Sequence, residues 1–133
     1  MSAERTVLDY YDALRSGDPL PPYFAEEPGA VKFGISERLD GYEEIASGLR
    51  EQTETTSDWT VESRALVVAE RERTARFADD VRMAWTTDEG ERHDFETRWS
   101  GCLERRNGAD VAEGDGDDDW RFVSMHVSVA RDL

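Results

Sequence analysis

Trp120-Arg121-Phe122-Val123-Ser124-Met125-His126-Val127-Ser128-Val129 is the stretch on which the reading of this chain turns. Aromatic and β-branched residues dominate it and neither Gly nor Pro interrupts it, so it reads as a β-strand. Successive side chains of a strand point to opposite faces. Val123, Met125, Val127 and Val129 then form one apolar row, and Trp120, Phe122, Ser124, His126 and Ser128 form a second, half-polar row. An antiparallel strand turns its apolar row to the core. That parity predicts that Phe122, Ser124 and His126 look outward.

Working back from this strand, the period stays at two as far as Trp59. Four long strands are expected, at about 59–70, 73–87, 93–106 and 120–130. Glu70-Arg71-Glu72-Arg73 makes a tight connection, and Asp88-Glu89-Gly90 suits a hairpin. Phe77, Val81, Met83 and Trp85 share a face of the second strand; Phe95, Trp99 and Leu103 share a face of the third. Before Trp59 the period is helical. Val7, Leu8, Tyr10, Tyr11 and Leu14 mark a helix over 3–16, with Ser2 able to cap it and Gly17 to end it. Pro19, Pro21 and Pro22 enforce a turn, and Tyr23-Phe24-Ala25 forms one short helical turn. Ala30 to Gly34 is a short strand with Val31 and Phe33 on one face. Gly41 opens a second amphipathic helix over 42–54, with Tyr42, Ile45, Ala46 and Leu49 on one side. Helices first and an antiparallel meander after them make an α+β fold, the helices covering one face of the sheet.

A chain of 133 residues supports a single domain over 1–133. Its formal charge is −15, and Lys32 is its only lysine beside 15 arginines. A carboxylate-dense, Lys-poor surface fits a halophilic protein whose self-repulsion salt must screen, as against an ordinary acidic protein. Nucleic acid is excluded as a partner, because phosphate binding needs a basic patch. Residues 107–119 form an acidic, Gly-rich stretch read as a flexible hairpin tip, since it lacks the alternating ligands and terminal Glu of a calcium loop. Cys102 stands alone, which leaves neither a disulfide framework nor a Cys-rich metal site and reads as a small buried hydrophobe. With no signal-peptide pattern and no apolar run near the ~20 residues of a membrane helix, the expectation is a cytoplasmic protein without membrane contact.

Three stretches carry a resemblance to a known family. Val7-Leu8-Asp9-Tyr10-Tyr11-Asp12-Ala13-Leu14-Arg15-Ser16-Gly17-Asp18 followed by Tyr23-Phe24-Ala25, then Glu37-Arg38-Leu39-Asp40-Gly41-Tyr42-Glu43-Glu44-Ile45, then Thr97 to Arg106 with Trp120 to Ser128, are similar to the SnoaL-like and ketosteroid-isomerase-like members of the nuclear transport factor 2 superfamily. The resemblance implies a cone: a strongly curved antiparallel sheet wrapped around N-terminal helices, of cystatin-like type, with a pocket at its open end. It also implies a homodimer formed through the outer face of the sheet, here through Phe122, Ser124 and His126. Function does not follow from it, because the fold hosts isomerases, cyclases, dehydratases and plain association modules.

The resemblance places Tyr10 where ketosteroid isomerases carry a tyrosine that donates to an enolate oxygen; the bland reading is a core tyrosine with its hydroxyl satisfied. The isomerase base would fall near Phe33 and the second acid near Cys102, and neither residue has carboxylate chemistry. Asp79 is the one acid breaking an apolar strand face, between Phe77 and Val81. It is either a partly buried general base or the site of a β-bulge at Asp79-Asp80 that turns the charge outward. His126 is read as structural or interfacial and His93 as surface. Arg98 shares the outer parity of Asp94 and Glu96, and cross-strand ion pairing is its expected use. No spacing points to a metal site.

These readings combine into a pocket for a small apolar or amphipathic molecule, lined by Tyr10, Phe33, Met83, Trp85, Trp99 and Met125. Catalysis there would be proton transfer without a cofactor, with Tyr10 as donor and Asp79 as base. The rival is a non-catalytic association or ligand-sensing module whose cone is filled by the same aromatics.

Overall fold

Ser2 starts the first helix. In the computed structural model, which describes residues 2–106 and 119–130, its hydroxyl accepts a hydrogen bond from the Arg5 N–H at 3.1 Å, an N-cap that satisfies one orphan donor of the first turn. The helix, α1, runs Ala3–Ser16 and ends at Gly17, whose φ of 72° suits a left-handed cap. Its buried stripe includes Val7, Tyr10, Tyr11 and Leu14. The expected short turn forms slightly early, as a 3-10 turn over Pro21–Tyr23. A hairpin of β1 (Val31–Gly34) and β2 (Glu37–Asp40) precedes α2 (Gly41–Thr55), which buries Ile45, Ala46 and Leu49. Then come β3 (Thr56–Ser63), β4 (Val67–Glu70), β5 (Thr74–Thr87), β6 (Arg92–Arg106) and β7 (Asp119–Val129).

These strands form one sheet in the order β2-β1-β7-β6-β5-β3, with β4 also paired to β5. The fold is α+β as expected, but the sheet is mixed. β1 lies parallel to β7, Val31 opposite Ser124 and Phe33 opposite His126. A parallel pair needs a long crossover, and here α2 and most of the sheet supply it. The sheet curves around the helices, so that α1 touches β3, β4 and β7 alike. The acidic tip expected at 107–119 lies outside the described residues except for Asp119, which opens β7.

The last strand departs from simple alternation at one residue. Cys102 pairs with Ser124 and Leu103 with Phe122, leaving Val123 as an extra residue in β7. This bulge reverses the parity of the strand's first half. Met125 and Val127 face the core as expected, but Trp120 and Phe122 face it too, at 1% and 0% exposure. Phe122 is therefore a core residue and not an outer-face one. Its ring meets those of Tyr10 and Phe24 at 5.4 Å and Phe77 at 5.6 Å. Gly101, opposite Met125, permits the close approach: a Cβ there would lie 2.9 Å from Phe77 Cε1 and 3.1 Å from Met125 Cα.

The strand expected at 59–70 is two strands. Three residues, Arg64 to Leu66, stand opposite two, Asp79 and Asp80, so the ladder to β5 breaks between β3 and β4. β5 itself runs regularly against β6 through Asp79 opposite Trp99 and Asp80 opposite Arg98. The bulge expected at Asp79-Asp80 sits on the neighbouring strand instead.

Candidate functional site

The helices and the inner sheet face enclose a cavity of about 390 Å³, within the size range of small-molecule pockets. Three tryptophans and a methionine build its apolar wall: Trp59 from β3, Met83 and Trp85 from β5, and Trp99 from β6. Trp59 and Trp85 stack with centroids 5.0 Å apart and planes 17° from parallel. Two of the indole N–H groups are already bonded, Trp59 Nε1 to Thr56 Oγ1 and Trp99 Nε1 to Thr97 Oγ1, both at 2.9 Å. The Thr97 hydroxyl donates in turn to the Val81 carbonyl at 2.6 Å. With its polar edge occupied, an indole presents its ring as an apolar surface.

Tyr10 enters this cavity from α1. It is 1% exposed, edge-on to Tyr23, Phe24, Trp99 and Phe122, and its hydroxyl has no hydrogen-bond partner among the described residues. Burial first, and then the nearby Glu37 carboxylate, push its pKa well above the ordinary value. Tyr10 is thus a neutral phenol with a donor free for an oxygen acceptor.

The sequence reading missed the cation of the site. Lys32 points into the cavity from β1 at 5% exposure and donates to Glu37 Oε1 at 3.1 Å. Both residues line the cavity, with Glu51 of α2 as a further carboxylate. Phe33, expected inside, lies on the opposite face of β1, where its ring meets His126 at 5.4 Å under the Arg38 guanidinium. A four-residue strand with apolar residues on both sides of one lysine has no decisive parity. Pairing with β7 decides it, by setting Lys32 opposite buried Met125 and Phe33 opposite exposed His126. The one available signal was the lone lysine in an arginine-rich chain.

Asp79 is buried at 5% exposure, yet it does not line the cavity that Tyr10 enters. Its carboxylate accepts from Tyr11 Oη at 2.9 Å, Ser63 Oγ at 2.6 Å and the Ala65 N–H at 2.9 Å. The expected convergence of Tyr10 and Asp79 is therefore not formed. Asp79 neither opens to the ligand space nor points to water; it ties α1 to the break between β3 and β4.

Of the six expected pocket residues, Tyr10, Met83, Trp85 and Trp99 line the cavity, while Met125 packs in the core away from it. On the outer face His126 is exposed and Ser124 is half-buried, its hydroxyl accepting from the Cys102 N–H at 3.2 Å. Cys102 is exposed there and not buried. Arg98 forms no ion pair among the described residues, because Arg82 takes Asp94 and Arg64 takes Glu96. Among the described residues no cluster of three or more His, Cys, Asp and Glu side chains could hold a metal, and no helix is long and apolar enough to cross a membrane.

The family model for the SnoaL-like domain matches residues 3–132. No curated protein matches in sequence. Among solved structures, a nuclear transport factor 2-like superfamily protein from Salmonella enterica is 18% identical with a TM-score of 0.76, over 97% of this chain and 89% of that one. A candidate dehydratase of the same superfamily from Streptomyces avermitilis is 15% identical with a TM-score of 0.77, over 97% and 94%. A candidate calcium/calmodulin-dependent protein kinase II association domain from Xanthomonas campestris is 18% identical with a TM-score of 0.74, over 98% and 87%.

Proposed function

From the premise that the chain belongs to the SnoaL-like domain family, within the nuclear transport factor 2 superfamily, we propose that its cavity binds a small amphipathic molecule. The observation that carries this reading is the hydroxyl of the buried Tyr10 side chain, unpartnered among the described residues and set beside a wall of tryptophans. A ligand with a flat apolar body and an oxygen acceptor would satisfy both. The chemistry such a donor serves is proton transfer beside a carbonyl without a cofactor, the phenol holding the oxygen as charge develops. Asp79 is engaged elsewhere, so the carboxylates within reach of such a ligand are Glu37 and Glu51. The likeness to a candidate dehydratase fits this class of chemistry.

A second reading is association. The outer face around Phe33, Ser124 and His126 would join two copies, with Phe33 in the place that parity gave to Phe122. The tilted contact of Phe33 with His126 under Arg38 favours it, as does the likeness to a candidate association domain. An exposed free thiol at Cys102 suits a reducing compartment such as the cytoplasm.

Tryptophan fluorescence titrated with bicyclic aromatic ketones tests the cavity, because three of the chain's tryptophans line it. Saturable quenching, weakened about three- to tenfold in Tyr10→Phe by the loss of one hydrogen bond, supports the proposal. Absence of saturable quenching across the series, in a folded protein, removes it. Deuterium wash-in at the carbon beside the ketone reports whether binding leads to proton transfer.

A further inference from the structure

Resting on the cavity as the ligand site, we infer that its ligand is an aromatic monocarboxylate, and that Glu37 holds the ligand's place on Lys32 while the cavity is empty. A buried ammonium needs a counter-charge, since an isolated ion in a low-dielectric interior is strongly disfavoured. Lys32 has one in Glu37, but the pair is lopsided: the lysine side chain is 7% exposed and the glutamate 43%. Glu37 can leave for water by rotating about its own side chain. Lys32 cannot leave.

The seat that Glu37 occupies is shaped for a carboxylate. An ammonium has three donors, and Lys32 uses one of them, on Glu37 Oε1. Glu37, Lys32 and Tyr10 line the same cavity, and the charge of Glu37 is felt by Tyr10. A ligand carboxylate there would put one oxygen on Lys32, as Glu37 Oε1 is now. Glu37 reaches the seat only because residue 34 is glycine: a Cβ on Gly34 would lie 2.8 Å from Glu37 Cγ and 2.9 Å from its Cδ.

Charge limits the ligand further. Lys32 with one carboxylate is neutral, so a ligand carrying one negative charge replaces Glu37 without leaving a bare ion. A second charge would have no partner of opposite sign among the lining residues, where the remaining charged group, Glu51, is itself an acid. Trp59, Trp85 and Trp99 supply a wall suited to a flat aromatic body.

The test compares naphthoate with acetonaphthone, its near-isosteric neutral methyl ketone, by tryptophan fluorescence in roughly molar salt, which screens the acidic surface. The readout is the ratio of the two affinities. Glu37→Gln removes the competing charge, and Gly34→Ala pushes Glu37 off its seat while keeping both charges. Each is expected to shift the ratio toward naphthoate by about tenfold, the worth of one charge-assisted hydrogen bond. Lys32→Met, an apolar replacement that a buried site tolerates, should shift it the other way by a similar factor, and Lys32→Arg should restore part of it. If acetonaphthone binds the wild type but the ratio stays put in both Glu37→Gln and Gly34→Ala, the placeholder role is overturned and the cavity reading stands. If neither compound binds, both fall together.

Discussion

The Tyr11 hydroxyl donates to Asp79 Oδ2 at 2.9 Å across 68 positions of sequence, joining the first helix to the middle of the sheet. Adjacent residues of α1 thereby divide two tasks. Tyr10 keeps its hydroxyl free at the cavity, and Tyr11 spends its own on the framework.

Asp79→Ala should destabilise the protein by about 2–4 kcal/mol, because it strands two hydroxyl donors and a backbone N–H. Asp79→Asn, which retains an acceptor oxygen, should lose less, and Tyr11→Phe about 1–2 kcal/mol. Urea unfolding measures all three. Ligand quenching in the folded variants should persist, since none of these side chains lines the cavity.

Burial holds the phenols of Tyr10 and Tyr11 above their ordinary value of 10.0, and the Asp79 carboxylate adds to the effect on Tyr11. A group whose pKa is raised by folding stabilises fully below its unfolded value and loses that contribution as pH climbs through the folded one. The two tyrosines should therefore give stability that is flat at neutral pH and falls above about pH 10. A thermal-melt series read beside phenolate absorbance checks this. Ionisation of both tyrosines at the ordinary value in the folded protein would contradict it.

Two substitutions separate core from interface in β7. Phe122→Asp places a charge among Tyr10, Phe24 and Phe77 and should abolish folding, since loss of a buried phenylalanine alone costs about 3–5 kcal/mol. His126→Asp alters an exposed side chain and should leave the circular dichroism spectrum intact while dissociating the proposed dimer. Sedimentation velocity gives the outcome. A His126→Asp protein that sediments like the wild type would place self-association elsewhere.

The formal charge of −15 predicts a salt requirement. Lowering ionic strength from molar to ~0.01 M lengthens the screening distance from roughly 3 to 30 Å, exposing the carboxylates to one another. Melting temperature should fall along that dilution, and self-association should weaken with it. A melting temperature independent of salt would count against the halophilic reading.

Much of this architecture was legible where a pattern ran long enough to average out exceptions. Ser2, Gly17 and the spacing of Val7, Tyr10, Tyr11 and Leu14 defined α1, and the apolar row of β5 placed Phe77, Val81 and Met83 inside. What escaped lay at single residues. Alternation carries its phase forward only until an extra residue intervenes, and Val123 is such a residue; two aromatics, Trp120 and Phe122, on the supposedly polar row were the warning. β2, as Glu-Arg-Leu-Asp, has almost no strand preference of its own and exists because β1 offers it a partner. Lys32 was missed for a related reason, since a strand as short as β1 takes its facing from its neighbour.

The interruption between β3 and β4 also matters to the molecule in a crowd. These strands form one margin of the sheet, where unpaired N–H and C=O groups could recruit the same margin of another chain into a growing fibril. Val67, 65% exposed on β4, would make such a margin adhesive. With Arg64 to Leu66 kinked away and held there by the Asp79 carboxylate, the margin is cut into two short, discontinuous pieces. A buried acid outside the Tyr10 cavity thus helps to keep the protein from polymerising.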